Sequence, residues 1–309
     1  MRIINTCDLR TKEERIYYYM FDKNKERFLI NNIEIIYYYK QNNVVIMKNC
    51  KIFATQICEK LREEALNHKK NEEMTNEIRK SVMTDSKKNE IKIILRFLDT
   101  NLKVDMFTED FIANNGLQYL DTIIQYNTGN IRTYALIAVN NLLDFQNAFN
   151  YFEKKKEFLS KLYEILMNAD SIKTSEFAIY ILIKIISTNE EKIMYLIDIA
   201  EKYANKTNTK IYSQIVKYLQ EDNKILNLKI FSLLFINKIL NYCDQSKLPT
   251  ILDQLRDTGI FEILDNPRKY EEKFEEQIKI FNKKTEMYRK EIKYSKTHYY
   301  KLKSKYINY

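Results

Sequence analysis

From Lys51 to the end of the chain, residues that break a helix are almost absent: Gly116, Gly129, Gly259, Pro249 and Pro267 stand singly, and they are all the glycine and proline the sequence holds. Helix interiors disfavour Gly and Pro, and here the apolar residues recur at helical spacing. Ile52, Phe53, Gln56, Ile57 and Leu61 fall on one stripe. The region is therefore read as helical throughout. The surplus of Lys, Asn, Ile, Tyr and Phe has the look of an AT-rich genome, so a residue's abundance alone says little about its role. With 45% hydrophobic residues the chain has ample material for a core.

Aligning the long apolar helices on their C-terminal aliphatic pairs exposes a weak repeat. "KKNEIKIILRFLD" ends near Leu98, "IRTYALIAVNNLL" at Leu143, "SEFAIYILIKII" at Ile186 and "IFSLLFINKIL" at Leu240. Intervals of roughly 43 to 54 residues suit two- or three-helix solenoid units. A shorter amphipathic segment precedes each later long helix: "GLQYLDTII", "FLSKLYEIL", "IYSQIVKYL" and, before a fifth candidate "EEKFEEQIKIFNKK", "GIFEIL". Gly116 and Gly259 occupy matching corners in "FIANNGLQYL" and "LRDTGIFEIL", and Gly116 is expected to be a left-handed cap residue. The fold expected is mostly α, an armadillo-like helical-repeat solenoid over residues 51–282. Ahead of it, residues 1–50 form a small β-rich segment, because 16–47 alternate β-branched and aromatic runs with polar breaks. A basic Lys/Tyr-rich helix or tail, 283–309, follows.

Several function classes are excluded. No phosphate-binding loop can be built from three isolated glycines. His68 and His298 form no cluster, and Cys7, Cys50, Cys58 and Cys243 lack the close pairing of zinc ligands. Glu63/Glu64, Glu72/Glu73 and Glu271/Glu272 sit in Lys-rich helical runs and read as surface charge. No catalytic, cofactor-binding or metal site is expected. The longest apolar stretch, "FAIYILIKII", is too short to span a bilayer, and the N-terminus lacks a secretory h-region, so a cytoplasmic location with reduced thiols is expected.

Two surfaces remain as binding candidates. In the repeat alignment Asn141, Lys184 and Lys238 are equivalent, as are Asp144, Ser187 and Asn241 one turn later; equivalent positions of stacked repeats form a ladder, here a candidate partner groove. The net charge of +9 is concentrated in the tail at Lys283, Lys284, Arg289, Lys290, Lys293, Lys296, Lys301, Lys303 and Lys305. Such a tail suits RNA or an anionic membrane surface, and equally a solvated helix end.

The runs "EDFIANNGLQYLDTIIQ", "RTYALIAVNNLLDFQNAFNYF" and "QIVKYLQEDNKILNLKIFSLLFINKIL" resemble the armadillo-like region of the engulfment and cell motility (ELMO) family. In that resemblance Leu142, Leu143 and Asp144 end an aliphatic helix, and Ile236 and Asn237 form an Ile-Asn pair. It also makes "RFLINNIEIIYYYKQNNVVIMKNCKIFATQICEKLRE" a remnant of a ubiquitin-like GTPase-binding domain. A second resemblance rests on "IVKYLQEDNKILNLKIFSLLFINKIL", "LPTILDQLRDTGIFEIL" and "EEQIKIFNKK", which are similar to the armadillo region of diaphanous-type formins, a binder of Rho GTPases and of an autoinhibitory segment. Both resemblances imply a non-enzymatic adaptor in Rho-family GTPase and actin signalling. Its partner would be a small GTPase, an exchange factor or a cytoskeletal regulator.

Overall fold

A computed structural model describes residues 54–66, 85–168, 171–187, 190–220, 226–266 and 271–307. Every regular element among them is an α-helix. The expected β meander at 16–47 lies outside the described residues. The chain divides into two compact units, one ending at Phe152 and one beginning at Glu153.

In the first unit α1 (residues 54–66) and α2 (Asp85–Asn101) precede a three-helix group, α3 (Asp105–Ala113), α4 (Gly116–Tyr126) and α5 (Gly129–Leu142). α6 (Gln146–Lys154) bridges the boundary. In the second unit follow α7 (Lys156–Asn168), α8 (Ile172–Ile186), α9 (Glu190–Thr207), α10 (Ser213–Gln220), α11 (Leu226–Tyr242), α12 (Leu248–Asp257), α13 (Ile260–Asp265) and α14 (Glu272–Ile307). In chain order these are four helical triplets, α3–α5, α6–α8, α9–α11 and α12–α14, each ending on a long third helix, as in armadillo-like repeats. The uneven repeat interval has a simple source: α9 has 18 residues where α6 has 9.

The long helices pack on one another: α2 on α5 in the first unit, and the third helices α8 on α11 and α11 on α14 in the second. This explains their composition. α8 is rich in β-branched Ile, which local propensity would assign to a strand, yet Ala178, Ile179, Ile181, Leu182, Ile183, Ile185 and Ile186 are all buried. Each such side chain contributes about 1.5 to 3 kcal/mol on burial, against a propensity penalty below about 1 kcal/mol, so tertiary packing decides. The start of α8 is fixed locally, since the Ser171 hydroxyl accepts the Thr174 N–H at 3.1 Å as an N-cap. Pro249 sits in the first turn of α12, where its missing N–H costs nothing.

The two matched corners are real but displaced by one residue. The left-handed residue at the first corner is Asn115 (φ 63, ψ 22), not Gly116; at the second it is Gly259 (φ 80, ψ 18). Each donates its N–H back three residues, Asn115 to Ile112 O at 3.1 Å and Gly259 to Arg256 O at 2.9 Å, and each carbonyl then accepts a bond from the following helix. Asn115 therefore corresponds to Gly259, and Gly116 to Ile260. Asparagine tolerates the left-handed region better than other side chains do, which frees Gly116 for another purpose. It is the first residue of α4, and a Cβ there would overlap the Phe111 ring. Gly129 does adopt the left-handed conformation, at φ 59, with open space around it.

Candidate partner-binding face

Along the α8–α11 contact two pairs fix the register. Asn227 Nδ2 donates to Glu176 Oε1 at 3.1 Å, and the rings of Tyr180 and Phe231 lie 5.1 Å apart. Both span the same 51 residues, so the helices run parallel, and a constant offset sets Lys184 level with Phe235 and Ser187 level with Lys238. The expected rung pairing Lys184 with Lys238 follows repeat equivalence, which differs from this contact register by three residues, close to one helical turn.

The four ladder residues of the second unit lie on these two packed helices or at their ends. Lys184 Nζ sits 5.5 Å above the ring centre of Tyr180, and Lys238 Nζ 5.6 Å above that of Tyr242. Both lysines are half-buried. Ser187 caps the end of α8 and donates to Ile183 O at 2.6 Å, and Asn241 is exposed in the last turn of α11. In the first unit Arg96 lies 5.0 Å over the Tyr134 ring centre, a cation-on-aromatic contact that joins α2 to α5, whereas each lysine pair lies within one helix. A cation held on a ring is positioned at little entropic cost. Such a face suits a protein surface that supplies carboxylates.

Asn141 has a different role. It donates to Asp99 Oδ1 at 2.8 Å and to Asp99 O at 3.2 Å, tying α5 to α2. Asp144 is exposed beyond the end of α5. The second such tie is Asn237, which donates to Gln277 O at 3.0 Å and Oε1 at 3.1 Å, joining α11 to α14 at 2% exposure. Sequence reasoning placed Asn237 only within a family-like Ile-Asn pair. Its signal, a polar residue inside an otherwise apolar arc, was present but unused.

The start of the basic segment is anchored. α14 runs unbroken through residue 283, and Arg289 Nη1 donates to both oxygens of Asp265, at 2.8 and 2.7 Å, while the guanidinium lies 4.6 Å over the Phe261 ring. Tyr288 stacks on Phe261 and donates to Asp253, and burial together with that bond pushes its hydroxyl pKa up. Lys290 pairs with Glu286 one turn back at 2.6 Å, while Lys283 and Lys284 are exposed. The side chains of Lys293, Lys296, Lys301, Lys303 and Lys305 lie outside the described residues.

The two described cysteines are buried and not activated. Burial pushes the Cys58 thiol up to about 12 and raises Cys243 as well, the opposite of nucleophile activation. Among the described residues no group of His, Cys, Asp and Glu could hold a metal ion, and no helix is long and apolar enough to cross a membrane.

The family model of the FHOD1/3 FH3 domain matches residues 129–263, which run from the start of α5 into α13. Formin-G of Dictyostelium discoideum is 25% identical over 162 residues, covering 52% of this chain and 15% of that protein, so the chain spans a small part of its relative's length. Two engineered proteins of known structure are similar in fold: one at 16% identity and TM-score 0.55, covering 89% of this chain and 98% of its own, the other at 11% identity and TM-score 0.54, covering 87% and 58%. The second of the two sequence resemblances, to the formin armadillo region, is thus the one supported; none of these relatives supports the ELMO resemblance.

Proposed function

We propose that the chain is a formin-like FH3 module, a non-enzymatic regulatory scaffold that binds a Rho-type small GTPase in the cytoplasm through the third-helix face of its repeats. The observation that carries this reading is the FH3 match over 129–263, because it contains α8 and α11 with their ring-mounted lysines. FH3 and armadillo-like folds are generally regulatory or scaffold modules. Lys184, Lys238, Ser187 and Asn241 would contact the partner directly, and Asp144 would offer the first unit's own exposed contact. Asn141 would serve it indirectly by fixing α5 against α2. The reading places the module in actin regulation.

The test is calorimetric titration of the purified chain with Rho-family GTPases loaded with a GTP analogue or with GDP. Binding that prefers the GTP form and falls at least tenfold in Lys184→Glu/Lys238→Glu, with an unchanged far-UV spectrum, is expected. Equal affinity for both nucleotide forms, or no effect of the double variant, sinks the assignment of this face.

A further inference from the structure

The corner between α9 and α10 is built against the preferences of its residues. Across residues 208–212 the chain enters the left-handed region twice, at Asn208 (φ 52) and at Tyr212 (φ 63). Asparagine tolerates that conformation, but a bulky aromatic residue is held there only at a steric cost. Tyr212 is nevertheless 1% exposed, and among the described residues its hydroxyl has no hydrogen-bond partner. Burying an unpaired hydroxyl is a second cost. Tyr218, six residues on, shows the ordinary arrangement: it is helical, and its hydroxyl meets Leu166 O at 3.1 Å and Ser175 Oγ at 2.9 Å.

Both costs belong to the closed position alone. When Tyr212 swings out, its backbone can relax to an ordinary angle and its hydroxyl can hydrate, while the burial of one ring is lost. Two penalties of the same order as that gain leave little net preference for the closed corner, so it opens more readily than the helices around it.

The surroundings of the ring come from three helices. Tyr163 of α7, fully buried, faces the Tyr212 backbone, while Glu201 of α9 and Cys243, the residue after α11, lie near the Tyr212 hydroxyl. On the outside, Lys210 Nζ donates to the Asp257 carbonyl at 2.8 Å and ties the corner to the end of α12. Cys243 directly follows Asn241 and Tyr242, and Tyr242 carries Lys238, so the buried ring backs onto the end of the proposed partner face.

We infer that Tyr212 is a strained plug: the 208–212 corner swings it out of the second unit while the surrounding helices stay folded, which uncovers Tyr163 and Cys243, and the Lys210–Asp257 bond is the latch that holds it in. The inference stands whether or not the partner of the nearby face is a GTPase.

The experiment uses the full chain carrying Cys7→Ser and Cys50→Ser, so that Cys243 and Cys58 are the thiols left. Alkylation by iodoacetamide is followed at each by peptide mass, in native buffer and in urea below the unfolding transition. The Cys243 rate should be nearly independent of urea, as a local opening requires. Lys210→Ala, which removes the latch, should raise that rate at least threefold. Tyr212→Phe keeps the ring and removes the unpaired hydroxyl, so it should lower the rate at least threefold. Cys58, in the first unit, should respond to neither variant. A Cys243 rate that climbs with urea from the start belongs to global unfolding and overturns the inference. So does a rate that either variant fails to shift in the stated direction, because Cys243 is then reached by fraying at the end of α11.

Discussion

Gly116 and Phe111 occupy the same small volume at the α3–α4 corner: the ring of Phe111, fully buried and stacked 6.2 Å from Phe107, lies where a side chain at 116 would begin. The ring cannot swing aside without disturbing a close-packed neighbour. Alanine, the best helix former, is therefore expected to destabilise at 116, by the roughly 1 to 3 kcal/mol that overpacking costs. Gly116→Asn should do no better than Gly116→Val, because the fault is volume and not backbone angle. Asn115→Gly should stay within about 1 kcal/mol of wild type, since glycine reaches the left-handed region freely. Urea titrations of these variants check the order, and Phe111→Leu added to Gly116→Ala should recover part of the loss.

The two asparagine ties differ in burial and should differ in cost. Asn237 is 2% exposed, and truncating it takes the donor from both the backbone and the side-chain oxygen of Gln277. Asn237→Ala is expected to cost about 1 to 3 kcal/mol. Asn141→Ala, at a half-buried site that water can reach, should cost about 1 kcal/mol or less. Denaturant midpoints compared at equal slope measure both.

Arg289 is expected to matter far more than its neighbour Lys290. Its guanidinium uses all three nitrogens, Nη1 on both oxygens of Asp265, Nη2 on Asn282 Oδ1 and Nε on Thr285 Oγ1, while lying over Phe261, and a lysine cannot reproduce that set of contacts. Arg289→Lys should lower the thermal midpoint measurably. The exposed Lys290–Glu286 pair, one helical turn apart, should be nearly silent when Lys290 becomes Ala. Differential scanning fluorimetry in low and high salt distinguishes the two.

Alkaline pH should unfold the second unit through its tyrosines. Burial raises the Tyr163 and Tyr212 hydroxyls above their ordinary 10.0, and in the first unit it raises the Cys58 thiol from 9.0 to about 12. In each case the folded state holds its proton more tightly than the unfolded state does. The stabilisation is complete below the unfolded value and is lost as pH rises from there toward the folded one. Melting temperature should thus be flat to about pH 9 and fall above it, and Tyr212→Phe should flatten the fall. A pH series of circular dichroism melts that shows no decline to pH 11 contradicts this account.

The third helices were legible because their signal is strong and local: a run such as Phe177 to Ile186, too apolar for any surface, fits only the interior of a helical stack. First helices were harder to read. α9 places Ile193, Leu196, Ile197 and Ala200 in the core, yet its face is diluted by Glu191, Lys192 and Asp198, and no glycine marks its borders. At the first corner the glycine signal pointed one residue too far. Sequence shows that position 116 must be small, but not whether the cause is a backbone angle or an aromatic ring from five residues upstream. The candidate face was legible as a set of equivalent positions. Its register was not, because contact between neighbouring repeats depends on helix tilt and side-chain size, which equivalence does not encode.

Because α8 and α11 run parallel, their carbonyl ends lie at the same edge of the second unit, each bearing about half a negative charge from the summed peptide dipoles. Two like partial charges side by side repel, and Lys184, in the last turn of α8, is placed to offset that repulsion. The residue we propose as a partner contact therefore also steadies the edge on which it stands, by about 0.3 to 1 kcal/mol. Reversing its charge removes both contributions at once. A neutral glutamine at 184 removes the cation while adding no new repulsion, and the gap between its effect on binding and its effect on melting divides recognition from self-support.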